Sequence, residues 1–414
     1  MAISVGSDLA KLHFPGTIHY VNPRHPMPDE DTILISEFGR AVRWGGIALC
    51  IYILIVGINL ITTGVHSLGH PLVSSFISYA TNPILAVLLG IFLTFAVQSS
   101  TAVTTITVAT VGAGIVPIEI ATMVIMGANV GTCFTALLVA AGFYRNTCNL
   151  HRALAAAMTH WWFNVLSLLI LFPLEVTFRP LTRMSSWLAT RLTGESNSRV
   201  TLTDFTEQFV HPVVRMIGVD GWLGHVSSAY TAAALTIVLG AIAIIATIRW
   251  ISTLMTDITA ASSHLVLEHS VERRDAVMSG KSLLAGLGLT MMSQSSSATI
   301  CSTLPFAGTG NLSLRKVLGI VLGANLGTTL TAVLTALAVP GDYGTLALQA
   351  ALIHVLFNLG GVLVVLSVRP VGRLIFWLSE QAAGIGTRWP LTAFAVMTAS
   401  YTIIPLGIIA LATW

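Results

Sequence analysis

At 414 residues the chain has the length of two or three soluble domains, yet 54% of it is hydrophobic and only 9% is charged, against about 25% charged in soluble domains. A net charge of +3 spread over the loops offers no basic patch for nucleic acid. These proportions exclude an ordinary soluble protein and a nucleic-acid binder. They predict an all-α polytopic membrane protein, because about 20 apolar residues span a bilayer as a helix.

Residues 1–40 are polar, with no apolar core of a signal peptide before Arg40, and read as an N-terminal cytoplasmic segment. Apolar segments follow at 44–64, 83–97, 100–116, 118–141, 153–174, 228–250, 283–293, 298–309, 317–339, 346–368 and 390–413. Two stretches do not read as plain spans. Residues 83–116 are broken by QSST at 98–101, and 283–309 by QSSS at 294–297. Each predicts a re-entrant helical hairpin that turns back at its polar knot, since non-helical backbone survives at membrane depth only against protein or a watery cavity. Residues 180–225, with Arg183, Arg191, Asp204 and Glu207, are too polar to span, and 256–281 read as cytoplasmic. Cys50, Cys133, Cys148 and Cys301 lack CxxC spacing and read as small buried residues.

The segments repeat. Gln98 to Asn129 is 31 residues, and so is Gln294 to Asn325. GANVGT at 127–132 answers GANLGT at 323–328, HWWFN at 160–164 answers HVLFN at 354–358, and RPLTRMSSWLA at 179–189 answers RPVGRLIFWLS at 369–379. The expected organisation is two copies of one unit, 41–194 and 226–384. An extracellular loop at 195–225 joins them, and an extra transmembrane helix at 385–414 follows. Three crossings between the knots turn the second copy upside down. Inverted repeats with broken helices at mid-membrane are a common plan of secondary transporters. Placing Arg40, Arg43, Arg145, Arg152, Arg249, Arg273, Arg274, Lys281, Arg315 and Lys316 inside satisfies the positive-inside rule, with the N-terminus cytoplasmic in a plasma (inner) membrane.

Polar groups in lipid are costly unless satisfied. A single serine there usually bonds its own helix, but Gln98, Ser99, Ser100, Thr101, Thr104 and Thr105 cluster, and the second knot repeats the cluster. Exposed helix N-termini attract anions, while carbonyls, the glutamine oxygen and hydroxyl lone pairs suit small hard cations. The hairpins hold no Asp, Glu, Lys or Arg, so no acid-based proton relay has a candidate. Gly127, Gly131, Gly323 and Gly327 fit close helix packing; Asn129 and Asn325 fit partners of the knots, with Thr132, Thr328 and Thr331 facing the same cavity. His160 and Asn164, like His354 and Asn358, share a helix face and suit a structural or gating role. An intramembrane serine hydrolase is the enzymatic alternative. Ser99 and Ser295 lack a Gly-x-Ser-x-Gly setting, and a hydrolase has no use for an inverted second copy.

QSSTAVTTITVATVGAG, IMGANVGTCFTALL and THWWFNVLSLLILFPLE resemble the first repeat of the type II sodium-dependent phosphate cotransporters. QSSSATICSTLPFAGTG, VLGANLGTTLTAVLTALA and LIHVLFNLGGVL resemble the second. The resemblance implies coupled movement of sodium and inorganic phosphate, with sodium as a co-transported ion and no organic cofactor. It puts sodium near Gln294, Ser295, Thr328 and Thr331, with Gln98 and Thr132 as first-copy candidates. Phosphate would sit between the tips, near Gln98, Ser99, Ser100, Thr101, Ser296, Ser297, Asn129 and Asn325. Two features depart from the family: Thr101 replaces a third serine, and Phe143 stands where electrogenic members carry an aspartate associated with a further sodium. The resemblance therefore implies electroneutral symport of divalent phosphate with two sodium ions. A sodium-coupled carrier of another oxyanion or a small carboxylate is the alternative. The sequence leaves the oligomeric state open.

Overall fold

The computed structural model describes residues 30–68, 82–193, 206–271, 280–337, 339 and 344–412. Most of the N-terminal segment, Arg273 and Arg274 therefore lie outside the described residues, as does part of the loop at 195–225. Helix α1 runs Glu30–Leu68; its residues up to Trp44 belong to a separate unit, and all that follows concerns Gly45–Trp414. Next come α2 (Pro83–Val97), α3 (Ser100–Gly112), α4 (Ile118–Gly131), α5 (Cys133–Ala141), α6 (Thr147–Phe178) and α7 (Pro180–Thr193). A π-helical turn at Thr206–Val210 leads into the short α8 (His211–Ile217) and α9 (Trp222–Val226). Then follow α10 (Ala229–Val271), α11 (Gly280–Ser293), α12 (Ser296–Gly308), α13 (Leu314–Leu337), α14 (Gly344–Ser367), α15 (Arg369–Arg388), α16 (Pro390–Tyr401) and α17 (Ile403–Ala412). No strand occurs among the described residues, and seven helices there are long and apolar enough to cross a membrane. The fold class is an all-α polytopic membrane protein.

Composition sorts these helices by depth. Within the candidate spans, the 18-residue apolar window is 83% buried in protein in Ile118–Ala141 and 78% in Leu314–Leu337, but 11% in Pro390–Leu411. The first two are the central posts, and the last faces outward. Helices that are apolar all round bury every face, as α4 and α13 do beyond the charges of their first turns, Glu119 in α4 and Arg315 and Lys316 in α13. The segment read as one final helix is interrupted at Thr402.

The contacts come in matched pairs. Helix α2 lies along α4, and α11 lies along α13; α3 meets α13 and α14, while α12 meets α5 and α6; α7 covers α14, while α15 covers α6. Each short helix after a knot thus docks on the other half of the chain. The core forms at these junctions: Phe163 gathers with Ile300, Leu304, Leu318 and Ile320, and Ala102 and Val108 with Ala332, Ala347 and Ala351.

Two glycines set how close the first pairs come. A Cβ on Gly127 would lie 2.1 Å from the Val87 carbonyl oxygen, and one on Gly323 would lie 1.9 Å from that of Leu283. Only glycine permits this backbone-to-backbone approach, which is the packing role expected of the GAN motifs. The corner from α6 to α7 holds a feature the sequence did not announce. Arg179 takes a left-handed φ of 53°. The buried Glu175 carboxylate accepts from the Leu181 N–H at 2.7 Å and the Thr182 N–H at 3.1 Å. It thereby satisfies the free end of α7, where backbone N–H groups have no helical acceptor.

Candidate functional site

Each polar knot is a two-residue reversal between helices. Gln98 closes α2 with φ 56° and ψ 30°, and Ser99 is extended at φ −154° before α3 begins. Gln294 closes α11 with φ 55°, and Ser295 opens α12 at φ −146°. A left-handed backbone costs a non-glycine residue about 1–2 kcal/mol. The side chains offset part of this: Gln98 Nε2 donates to the Phe95 carbonyl at 2.5 Å, and Gln294 Nε2 donates to that of Met291 at 2.5 Å. Both helices restart on a serine cap, Ser99 Oγ accepting from Ala102 N–H and Ser295 Oγ from Ala298 N–H, each at 3.2 Å. The opening N–H groups of Ser100, Thr101, Ser296 and Ser297 have no acceptor within their helices.

With its nitrogen spent, each glutamine turns its oxygen to a threonine 37 residues on. Thr135 Oγ1 donates to Gln98 Oε1 at 2.8 Å, and Thr331 Oγ1 donates to Gln294 Oε1. Thr331 was expected from the sequence; Thr135 was missed. The signal was present, since GTCFT at 131–135 aligns with GTTLT at 327–331.

The two knots meet. Thr101 Oγ1 donates to the Gln294 carbonyl at 3.2 Å. Thr132 Oγ1 lies 3.0 Å from Ser297 Oγ, which also reaches the Thr132 carbonyl at 3.2 Å. Thr105 and Thr335 hydroxyls lie 3.4 Å apart a turn deeper. Gln98, Ser99, Gln294 and Ser295 are half-buried, whereas Ser100, Thr101, Ser296 and Ser297 are buried. The structure thus links Thr101, Gln294 and Thr331 in one hydrogen-bonded chain, Thr132 with Ser297 in a second and Gln98 with Thr135 in a third, with Ser99 and Ser295 capping α3 and α12.

Other expected residues stand behind this set. Asn129 Nδ2 donates to the Ile125 carbonyl at 2.8 Å and Asn325 Nδ2 to that of Val321 at 2.9 Å, so each amide N–H is held by its own helix. Thr328 Oγ1 donates to the Asn325 carbonyl at 2.8 Å. His160 and His354 are fully buried, and neither ring nitrogen of either has a protein partner among the described residues. Asn164 donates to the His160 carbonyl at 3.0 Å and to Cys133 Sγ at 3.4 Å, while Asn358 donates to the His354 carbonyl at 3.0 Å. No group of three His, Cys, Asp or Glu side chains able to hold a metal ion occurs among the described residues. The donors of the site are neutral oxygens and backbone N–H groups, a set suited to an alkali cation and an oxyanion rather than to a transition metal.

Sequence comparison supplies the family. A profile described as Na+/Pi-cotransporter matches residues 53–187 and 243–387, which together take in both knots and both GAN motifs. Sodium-dependent phosphate transport protein 2B of Homo sapiens is 23% identical over 88% of this chain and 64% of its own length. The 2A protein of Rattus norvegicus is 24% identical over 68% of this chain and 54% of its own. The 2A protein of Ovis aries is 40% identical over a shorter stretch, 23% of this chain and 15% of its own. The chain thus spans less than two thirds of the length of these relatives. No solved structure matches it. With the profile covering more than half of its residues, the chain belongs to the Na+/Pi-cotransporter family.

Proposed function

We propose that the protein is a secondary active transporter of the plasma membrane that carries inorganic phosphate in symport with sodium by alternating access. The observation that carries this reading is the pair of matched breaks, Gln98–Ser99 and Gln294–Ser295, joined by the Thr101 and Thr132 hydrogen bonds. Two inverted repeats, each with a re-entrant hairpin, account for that match and for the reciprocal helix contacts. The names of the relatives agree, since each is a sodium-dependent phosphate transport protein.

Each ion has chemistry suited to it. Phosphate is bound between the tips by the N–H groups and hydroxyls of Ser99, Ser100, Thr101, Ser296 and Ser297, with Gln98, Asn129 and Asn325 alongside. Sodium is held by neutral oxygens of Gln294, Ser295, Thr328 and Thr331. A second sodium takes Gln98 and Thr132, to which the structural pairing adds Thr135. His160, Asn164, His354 and Asn358 shape the wall behind them. Rocking one repeat against the other exposes the site to each side in turn.

The charges then balance. A divalent phosphate with two sodium ions is neutral, so cycling moves no net charge and gains nothing from membrane potential, which is worth about 2.3 kcal/mol per charge per 100 mV. Phe143 in place of an acid leaves that position without a ligand for a third sodium. The test is paired ²²Na and ³²P flux into proteoliposomes with simultaneous current recording. Two sodium ions per phosphate and no steady current are expected; phosphate flux without sodium flux contradicts the reading.

A further inference from the structure

A charged side chain touches the first knot, and it comes from neither hairpin. Arg249 Nη2 donates to the Val97 carbonyl at 3.1 Å. That carbonyl is free because the break at Gln98–Ser99 removes the N–H that a continuous helix would bring to it. Arg249 lies within the apolar window Ala229–Ile251, two residues from its end, on the helix α10 that packs against both α3 and α11. A cation at that depth is expensive unless it has a partner or a watery path, and such residues mark ion and substrate routes. Yet the only ion pairs among the described residues are His151–Glu380 and Arg179–Glu119, so no carboxylate there answers Arg249.

The guanidinium carries five N–H donors in a planar fork that fits an oxyanion, and the Val97 bond uses one. Its side chain is exposed, and Gln98 and Ser99 beside it are half-buried, so an anion arriving on this side meets the arginine and the knot together. The second knot is built differently. Its Gln294 carbonyl takes a neutral hydroxyl from Thr101 and no cation. The first knot thus receives a hydrogen bond from a cation, and the second receives one from a neutral hydroxyl.

We propose that Arg249 is the anion guide of the first knot. It draws a divalent oxyanion from the water on its side of the membrane and delivers it to the α3 N-terminus, while the Val97 bond fixes the guanidinium beside the tip. The proposal rests on the phosphate-transport reading and adds to it a residue outside both hairpins and both GAN motifs.

The test compares wild type, Arg249→Lys and Arg249→Gln in two assays: ³²P-phosphate binding to the detergent-solubilised protein in sodium, and initial uptake in proteoliposomes. Arg249→Gln, whose amide can still donate to Val97, should raise the phosphate Kd and KM about tenfold, with kcat within about twofold and the sodium dependence unmoved. Arg249→Lys should recover most of the loss. At fixed sodium, added choline chloride should raise the wild-type KM and leave that of Arg249→Gln flat, because screening acts on a charge that the variant lacks. A Gln variant with wild-type Kd, KM and salt response overturns the proposal. So does one that loses kcat alone, which makes Arg249 a helix prop. Wild type that binds no phosphate in sodium overturns the transport reading itself, a separate failure.

Discussion

The two polar knots share a backbone and differ in their surroundings. In both, a left-handed glutamine bonds its own helix through nitrogen and a threonine through oxygen, and a serine caps the next helix. Around the first, Arg249 meets the Val97 carbonyl, and Phe95, Phe134 and Tyr401 form an aromatic cluster, with the Tyr401 hydroxyl donating to the Val130 carbonyl at 3.1 Å. Around the second, α10 lies along α11, and the Gln294 carbonyl receives the Thr101 hydroxyl. The two knots thus share a hydrogen-bond skeleton and differ in their neighbours. The shared skeleton gives both tips the same neutral oxygens and helix N-termini that the proposed ion sites use. The neighbours explain why the two tips need not prefer the same ion.

The largest expected effects fall on what the copies share. Gly127→Val and Gly323→Val drive a side chain into the facing backbone, and each should cost more than about 4 kcal/mol, read as loss of folded protein in thermal unfolding. If one folds normally, the two hairpins are not held alike. Next, Gln294→Ala should raise the sodium KM at least about tenfold by removing a half-buried acceptor, whereas Gln98→Ala, at a residue that serves both ions in the proposed site, should raise the phosphate KM together with the sodium KM. Equal effects of both on both ions would erase the distinction drawn between the knots. Glu175 has no acidic counterpart near α15, where Val365 occupies the matching place. Glu175→Ala should therefore lower stability by about 2 kcal/mol while leaving both KM values unchanged. Smallest are Thr331→Val and Thr135→Val, for which the proposed sodium sites predict a loss of about 1 kcal/mol each, or about fivefold in sodium KM.

Much of the architecture was legible because membrane helices leave a plain signature. Uncharged runs located the spans, and QSST and QSSS located the breaks to within a residue: α2 ends at Val97 and α3 starts at Ser100. The glycines of GANVGT and GANLGT gave their packing role from spacing alone. Thr135 was legible in principle, since it shares an alignment column with Thr331, but its meaning depends on where the Gln98 oxygen points, and backbone geometry at 98 decides that. Arg249 and Glu175 were visible as residues and silent as partners. Each acts on an element far along the chain or round a corner, and no periodicity records such contacts. The asparagines show the converse: sequence placed Asn129 and Asn325 near the knots, whereas the choice of their own helices as acceptor is a matter of rotamer.

The central claim is that the paired knots form one site for sodium and phosphate together. Its most direct test is initial ³²P-phosphate uptake into proteoliposomes of the purified protein, with an inward sodium, potassium or proton gradient as the only variable, in wild type and in Ser99→Ala and Gln294→Ala. The account predicts uptake that requires the sodium gradient in wild type and falls about tenfold or more in both variants. Uptake indifferent to sodium, or a full rate in both variants, would contradict it.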